Sequence, residues 1–551
     1  MFITKKTING KDYFYFQKSV RDKDKVKSEY IAYLGKDKEE AEKKAELIKQ
    51  QLGSKEKNYQ KKLQQMTISI DELAAFCKRK GFVYPSGEIY GGLAGFWDFG
   101  HLGTLLKNNI KTEWREYHVQ ERDDIVEIDG SIITNPKVWE ASGHISSFVD
   151  LAVICKKCGY KTKIDKHEIP GRCEKCQGEY ENQGEFNPMF VTEVGPIKPS
   201  VEVYLRPETA QLIFTDFKLV QENARLKLPF GIAQIGKSFR NELSPREFLF
   251  RSREFEQMEI EYFTALNQKC PYIEETKAVD ILIYNEDIQK NNKAPEFMNV
   301  YDAWKKRIIK NDWHAYWLSK EYEWFISLGA NPLNFRARQH LAEEKSHYAI
   351  DTWDLEYNFP MGWRELQGFA NRADYDLKQH QNFSKTSMEI EHEGKKVIPH
   401  VVCEPSLGVE RAFLVFMLDS YFYDEKRKNI VLKLHPKLAP IKAAVFPIIK
   451  KPEYEKISDD IVIKLKKEFN VIYDKSGSIG RRYSRNDEIG TPYCITIDDI
   501  SPKQEDVTIR DRDTTEQIRV KIKNIDNVLR KLINEEISFL KAGKKVETRV
   551  K

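Results

Sequence analysis

The sequence predicts an α+β chain of several domains, and three observations carry that reading. First, IAQIGKSFRNE (232–242) has the apolar spacing of a half-buried strand. REFEQMEIEYF (253–263) then sets Phe255, Gln257, Glu259 and Glu261 on one face and Glu254, Glu256, Met258 and Ile260 on the other. Asn-Glu-Leu-Ser-Pro-Arg (241–246) between them is turn chemistry, so the two segments form an antiparallel hairpin. Second, strand and helix alternate from 442 onward: IKAAVFPI, a helix near 453–468, NVIYD, a Gly-rich turn at 477–480, a further helix, then YCITIDD and VTIRDRD. Third, neither GxGxxG nor GxxxxGK[ST] occurs, which removes the Rossmann and P-loop nucleotide sites. At 551 residues the chain holds three or four domains.

The N-terminal 65 residues carry 17 Lys/Arg against 10 Asp/Glu, a charge of +7 within a total of +5. An Asn9-Gly10 turn, an aromatic strand at Tyr13–Phe16 and a strand near Val26 to Leu34, separated by the charged loop RDKDK, predict a small hairpin. Ala41, Ala45, Ile48 and Leu52 at helical spacing predict a solvated helix over 37–65. A linker with a cap and a nucleic-acid contact are both open for this appendage. The catalytic body is expected over 66–435 and the C-terminal domain over 436–551.

Cys155-Lys-Lys-Cys158 and Cys173-Glu-Lys-Cys176 form CxxC–x14–CxxC, with Gly159 and Gly178 close behind each pair. Four thiolates at this spacing suit a structural Zn²⁺, since four protein ligands leave no open position. Disulfides are the alternative, and the expected compartment opposes them. His167 lies in the loop but not at knuckle spacing. The knuckles form an insertion at 151–190. A second insertion at 266–335, with Trp304, Trp313, Trp317 and Trp324, has helical periodicity; core packing and RNA contact compete for its aromatics. No apolar run reaches the ~18–20 residues a membrane span needs, and the N-terminus lacks signal-peptide order, so a cytoplasmic location is expected.

Seven motifs in order resemble the class II aminoacyl-tRNA synthetases. Phe239-Arg240-Asn241-Glu242 followed by Arg251-Ser-Arg-Glu-Phe255 resembles motif 2, and Glu404-Pro-Ser-Leu-Gly-Val-Glu-Arg411 resembles motif 3. With EIYGGLAGFWDFG (88–100), VWEASGHISSFVD (138–150), RPETAQLIFTDF (206–217), MGWRELQGFANRADYDL (361–377) and the C-terminal SGSIGRRYSRNDEIGTP (476–492), the set is similar to the homodimeric glycyl-tRNA synthetases of class IIa, from about Phe82 to Val520. The resemblance implies an antiparallel sheet with flanking helices, an α/β anticodon-binding domain, and ligation of glycine to tRNA(Gly) through a glycyl-adenylate. Motif 1 is weak, its usual proline falling near Ser131, so the implied homodimer rests on the overall likeness.

The same resemblance implies the site. Arg240 should hold the α-phosphate and Arg251 reach the γ-phosphate, with Phe250 and Asn241 beside the nucleotide. Phe255 should stack on adenine, Arg411 at the motif 3 helix start should cover its other face, and Gly408 should precede that helix. Glu242 should meet adenine or the tRNA end, and Glu365 with Leu366 should contact ATP, the carboxylate serving as a Mg²⁺ ligand. Glu208, Glu259 and Glu404 match the acids around the glycine ammonium, with Ser406, Gln257 and Phe255 beside them. Arg481, Arg482 and Arg485 offer RNA contacts in the C-terminal domain. Two alternatives remain: another class IIa amino acid specificity, or a synthetase-like RNA-binding protein without catalysis.

Overall fold

The computed structural model describes residues 2–8, 11–22, 25–35, 68–164, 171–344 and 349–546, in two compact units, Met1–Ser69 and Ile70–Lys551. The first unit is a three-stranded antiparallel sheet of Phe2–Ile8, Lys11–Asp22 and Lys25–Gly35 in that order. The Ile8↔Lys11 pair closes the first hairpin at the Asn-Gly signal. The stretch expected as the loop RDKDK begins and ends in strand: Arg21 and Asp22 belong to the second strand, and Asp22 pairs with Lys25 of the third. The helix expected over 37–65 lies outside the described residues, as does His167.

The second unit is built on a nine-stranded sheet. Its order is Glu296–Asn299, Asp280–Tyr284, Phe335–Gln339, Asp351–Phe359, Gly362–Asn371, His400–Gly408, Glu254–Thr264, Phe230–Phe239 and Ile125–Ile128. All neighbours run antiparallel except Ile125–Ile128 with Phe230–Phe239 and Asp280–Tyr284 with Phe335–Gln339. The expected hairpin runs from Phe230↔Phe263 to Phe239↔Glu254 without a break. Its second strand pairs with His400–Gly408 at Glu259↔Ser406, and that strand meets Gly362–Asn371 at Gly368↔Ser406 and Ala370↔Glu404.

Period-2 geometry assigns the two faces. Met258, Ile260 and Tyr262 point into a core shared with the helices His101–Arg115, Asp312–Ser327 and Val409–Ser420. Trp313 and Trp317 pack on the Tyr262 ring at 4.9 and 5.3 Å, and Trp324 packs on Phe416 at 5.8 Å. Each of these three tryptophans is at most 1% exposed, so core packing is the fate of this set. Asn311 caps their helix by accepting the Trp313 amide at 2.8 Å. The insertion is not wholly helical: Asp280–Tyr284 and Glu296–Asn299 extend the sheet at its edge. On the opposite face, Ala210, Ile213, Phe214 and Phe217 of helix Ala210–Ala224 pack on Phe230, Ile232 and Phe263. They cover one end of that face, and Gln257, Glu259 and Glu261 share the same side of the strand.

The knuckle segment forms its own three-stranded sheet, Tyr180–Phe186, Asp150–Cys155 and Lys161–Ile164. The C-terminal part is a six-stranded sheet: Val471–Tyr473, Ala443–Pro447 and Tyr493–Ile497 are parallel, and Asp506–Asp511, Gln517–Lys521 and Lys544–Lys545 continue it antiparallel. Helices Pro452–Leu465 and Ile525–Ile533 pack on its core. In the arginine cluster only Arg481 is exposed. Arg482 is buried, donating to the Pro447 and Gly477 carbonyls at 2.6 and 3.1 Å, and Arg485 pairs with Asp474. The latter two arginines are therefore structural supports of the turn at 474–478.

Candidate active site

Two neighbouring strands and the segment before a helix place four glutamates in one buried hollow. Glu259 and Glu261 come from Glu254–Thr264 and Glu404 from His400–Gly408; one carboxylate oxygen of each lies within 4.8 Å of the others. Glu208, just before helix Ala210–Ala224, joins them, its charge acting on both Glu259 and Glu404. The alternation read from the sequence thus brings Glu259 to its expected neighbours. Thr209 Oγ1 donates to Glu259, and Ser406 lies opposite Glu259 in the strand register. Gln257 accepts from Ser238 Oγ at 2.7 Å and donates to Ser406 Oγ at 3.2 Å, which fixes its amide.

Sequence reasoning missed the cation that makes this hollow tenable. Arg372, 1% exposed, donates Nη1 to Glu404 Oε1 at 2.9 Å and holds Asp376 with Nε and Nη2 at 2.7 and 2.9 Å. Gln211 bridges Glu208 and Asp376 at 3.2 and 3.0 Å, and His144 Nε2 lies 3.3 Å from Glu208 Oε2. Arg372 and Asp376 stand at the i,i+4 spacing of an ion pair, the one signal that pointed to them.

These partners separate the acids. Burial pushes Glu208 up, but His144, Arg372 and Arg240 outweigh it and hold the carboxyl far below its ordinary range. Burial and the Glu208 charge raise Glu259. Burial raises Glu404 to about 8 although Arg372 opposes it. Burial and the Glu404 charge push Glu261 well above the ordinary carboxyl value. The set is short of positive charge, so the hollow is suited chemically to a small cation.

Next to this hollow lie the arginines. Arg240 donates Nε to the Pro207 carbonyl at 3.0 Å, and its guanidinium lies 5.6 and 5.5 Å from the Phe148 and Phe255 ring centres. Its charge acts on both Glu208 and Glu365. Arg411, on the first turn of helix Val409–Ser420 after Gly408, donates Nη1 to the Glu365 carbonyl and carboxylate at 2.9 and 3.1 Å. The protein around Glu365 opposes its ionisation, yet Arg411 wins and holds it below the usual value. Arg411 also stacks on Phe250 at 4.6 Å. Arg251 Nε lies 4.0 Å from Glu242 Oε2, Asn241 is exposed, and the Leu366 side chain sits in the core, leaving only its main chain for a ligand.

In the knuckle segment the four thiols converge: the sulfurs all lie within 4.8 Å of one another, Cys155 and Cys176 at 3.5 Å and Cys158 and Cys173 at 3.6 Å. A tetrahedron with ~2.3 Å metal–sulfur bonds has edges of about 3.8 Å, so the donor set fits Zn²⁺. A Cβ on Gly178 would meet Cys155 Sγ at 3.0 Å and Cys176 Sγ at 3.3 Å, which explains the glycine behind the second knuckle.

The family model described as tRNA synthetase class II core domain (G, H, P, S and T) matches residues 197–421, and the one described as anticodon binding domain matches 442–532. A prolyl-tRNA synthetase from Cryptosporidium parvum shares the fold, with a TM-score of 0.53 over 85% of this chain and 78% of that one at 15% identity. Fold, hairpin and motif 3 helix together define a class II aminoacyl-tRNA synthetase. Curated glycine–tRNA ligases match far more closely. Those of Caldanaerobacter subterraneus subsp. tengcongensis and Geobacillus thermodenitrificans are 42% and 43% identical, each covering 86% of this chain and 99% of the relative. The chain belongs to the glycine–tRNA ligase family.

Proposed function

We propose that this chain joins glycine to the 3′ end of tRNA(Gly) at the expense of ATP. The observation that carries the reading is the buried acidic hollow beside Arg240, which follows strand Phe230–Phe239, and Arg411, on the helix that follows strand His400–Gly408, in a member of this family. In the first step a glycine carboxylate oxygen bonds to the α-phosphorus of ATP, and the bond to pyrophosphate breaks. In the second, a ribose hydroxyl of the terminal adenosine attacks the acyl carbon, its proton is lost and AMP leaves. Both steps need alignment and charge stabilisation more than a nucleophilic side chain.

Glu208, Glu259 and Glu404 take the glycine ammonium, and Ser406 and Gln257 line the same wall. Specificity arises by exclusion: a side chain on Cα collides with a wall held by Arg372, Thr209 and Gln257. Arg240 stands between this pocket and Glu365, the position that orients an α-phosphate. Arg411 and Glu365 serve the outer phosphates, and Glu365 is the carboxylate that would hold a Mg²⁺, which would supply charge neutralisation there. Zinc on Cys155, Cys158, Cys173 and Cys176 is structural. The protein works in the cytoplasm; among the described residues no helix is long and apolar enough to cross a membrane. It acts as a homodimer, a reading supported by the exposed apolar row Val191, Val194, Ile197 and Val201 beside Ile133.

Charging of total tRNA with each labelled amino acid tests the proposal: glycine alone is transferred. Transfer of another amino acid, or none, overturns it. Glu259→Gln raises the glycine requirement far more than the ATP requirement, whereas equal effects would remove the pocket assignment.

A further inference from the structure

Glu261 has no role in the reaction as described, and its surroundings are unusual for an acid. It is 0% exposed, and neither carboxyl oxygen has a hydrogen-bond partner. It projects from the same face as Glu259, two residues along, into the cluster with Glu259 and Glu404. The charged groups facing it are Glu259 on its own strand, Glu404 on the neighbouring strand, and Arg372 and Asp376 beyond them. Cys403, opposite Tyr262, is a buried thiol whose own ionisation the burial suppresses. The single cation in this group, Arg372, is already shared by Asp376 and Glu404. A buried anion without a partner costs several kcal/mol, whereas a buried carboxylic acid retains one O–H to donate.

Resting on the amino-acid pocket proposed above, we infer that Glu261 is a positioning residue: a neutral carboxylic acid that donates its O–H to Glu404. Glu404 is then gripped from two sides, by Arg372 on Oε1 and by Glu261 on the other oxygen, and faces the ammonium in one orientation. The protonation order follows from the partners. Glu404 has Arg372 beside it and gains the substrate ammonium, so it takes the negative charge when glycine arrives. Glu261 has neither and keeps its proton throughout. Two of the three clustered acids thereby share the work: one binds charge, the other fixes the binder.

The test uses the full-length enzyme, with steady-state glycine and ATP KM values for Glu261→Gln and Glu261→Met. Gln keeps an N–H donor at the same reach and holds the glycine KM within about twofold of the parent. Met keeps the volume, removes the donor, and raises the glycine KM about ten- to a hundredfold, the loss of one hydrogen bond to a charged group, while the ATP KM stays put. Gln as damaging as Met would mean that Glu261 works as an anion, and unchanged glycine KM in both would mean that it only fills space; either result overturns the inference. If the Met variant does not fold, difference infrared spectra of parent and Glu261→Gln decide, since a protonated-carboxyl stretch must be present in the first and missing from the second. Glu259→Gln is the control: with its glycine effect intact, a silent Glu261 defeats this inference alone, and with that effect absent the pocket itself is refuted.

Discussion

Arg372 shows how one side chain sets the character of a site. Its guanidinium donates to Asp376 and Glu404 at once while being almost inaccessible to water. Removing one member of such a buried set strands the others, at about 3–5 kcal/mol. Arg372→Leu is therefore expected to lower the melting temperature sharply and to abolish glycine-dependent pyrophosphate exchange; a variant of normal stability and exchange would show that the acids are balanced by another group. Glu404 gives a pH signature. Its folded pKa, about 8, is raised above that of the unfolded chain. Its contribution to stability is thus present at acid pH and lost as pH rises toward 8. Glycine binding runs the other way, because the ammonium favours the ionised acid and expels its proton. The glycine KM should fall as pH increases and level off near 8, and Glu404→Gln should flatten this slope as well as weaken binding. Period-2 alternation made Glu259 and Glu261 legible as neighbours on one face. Arg372 was not legible in its role, because nothing local says that a strand-end arginine reaches across to residue 404.

At the scale of elements, the hairpin was readable because its alternation is long and its turn chemistry dense. The knuckles were readable because metal ligation requires a fixed spacing. The segment 266–335 was misread for the opposite reason: four tryptophans at helical spacing dominated it, while its two edge strands are only 5 and 4 residues long. In the arginine cluster at 481–485, composition pointed to RNA, whereas the helix geometry turns Arg482 inward to hold backbone carbonyls. Gly178 supplies a prediction for the knuckle as a unit. In Gly178→Ala the added methyl crowds Cys155 Sγ, Cys176 Sγ and the Lys157 Cβ, the last at 2.8 Å. Zinc content should fall below one per chain, and release to a chelator should quicken, with the melting of the main body little changed. Unaltered zinc retention would show that the loop relaxes around the methyl.

Across the whole second unit, the C-terminal sheet is fastened to the catalytic body by charged side chains. Asp487 accepts two bonds from Arg510, at 2.8 and 3.0 Å, and one from Arg427 of the catalytic side at 3.2 Å. Arg427 also donates to the Arg512 and Asp513 carbonyls, and Arg512, 1% exposed, donates to the Leu434 and Gly490 carbonyls at 2.8 Å. Asn429 Nδ2 reaches the Ser484 carbonyl at 3.0 Å. Asp487→Ala leaves the buried Arg510 without its anion and Arg427 with Asp424 alone, and the parent's single thermal transition should split into two, with faster proteolysis between 432 and 443. One unchanged transition would show that apolar packing alone holds the parts together. None of this joint was legible from the sequence, since its partners are separated by 55–86 positions and no short spacing announces them.

A fastened joint has a consequence for the RNA substrate proposed above. Two recognition surfaces on a stiff mount behave as a caliper set to one opening. An RNA must then present its far end and its acceptor end at that separation to satisfy both at once, so the length and bend of the RNA are measured along with its bases.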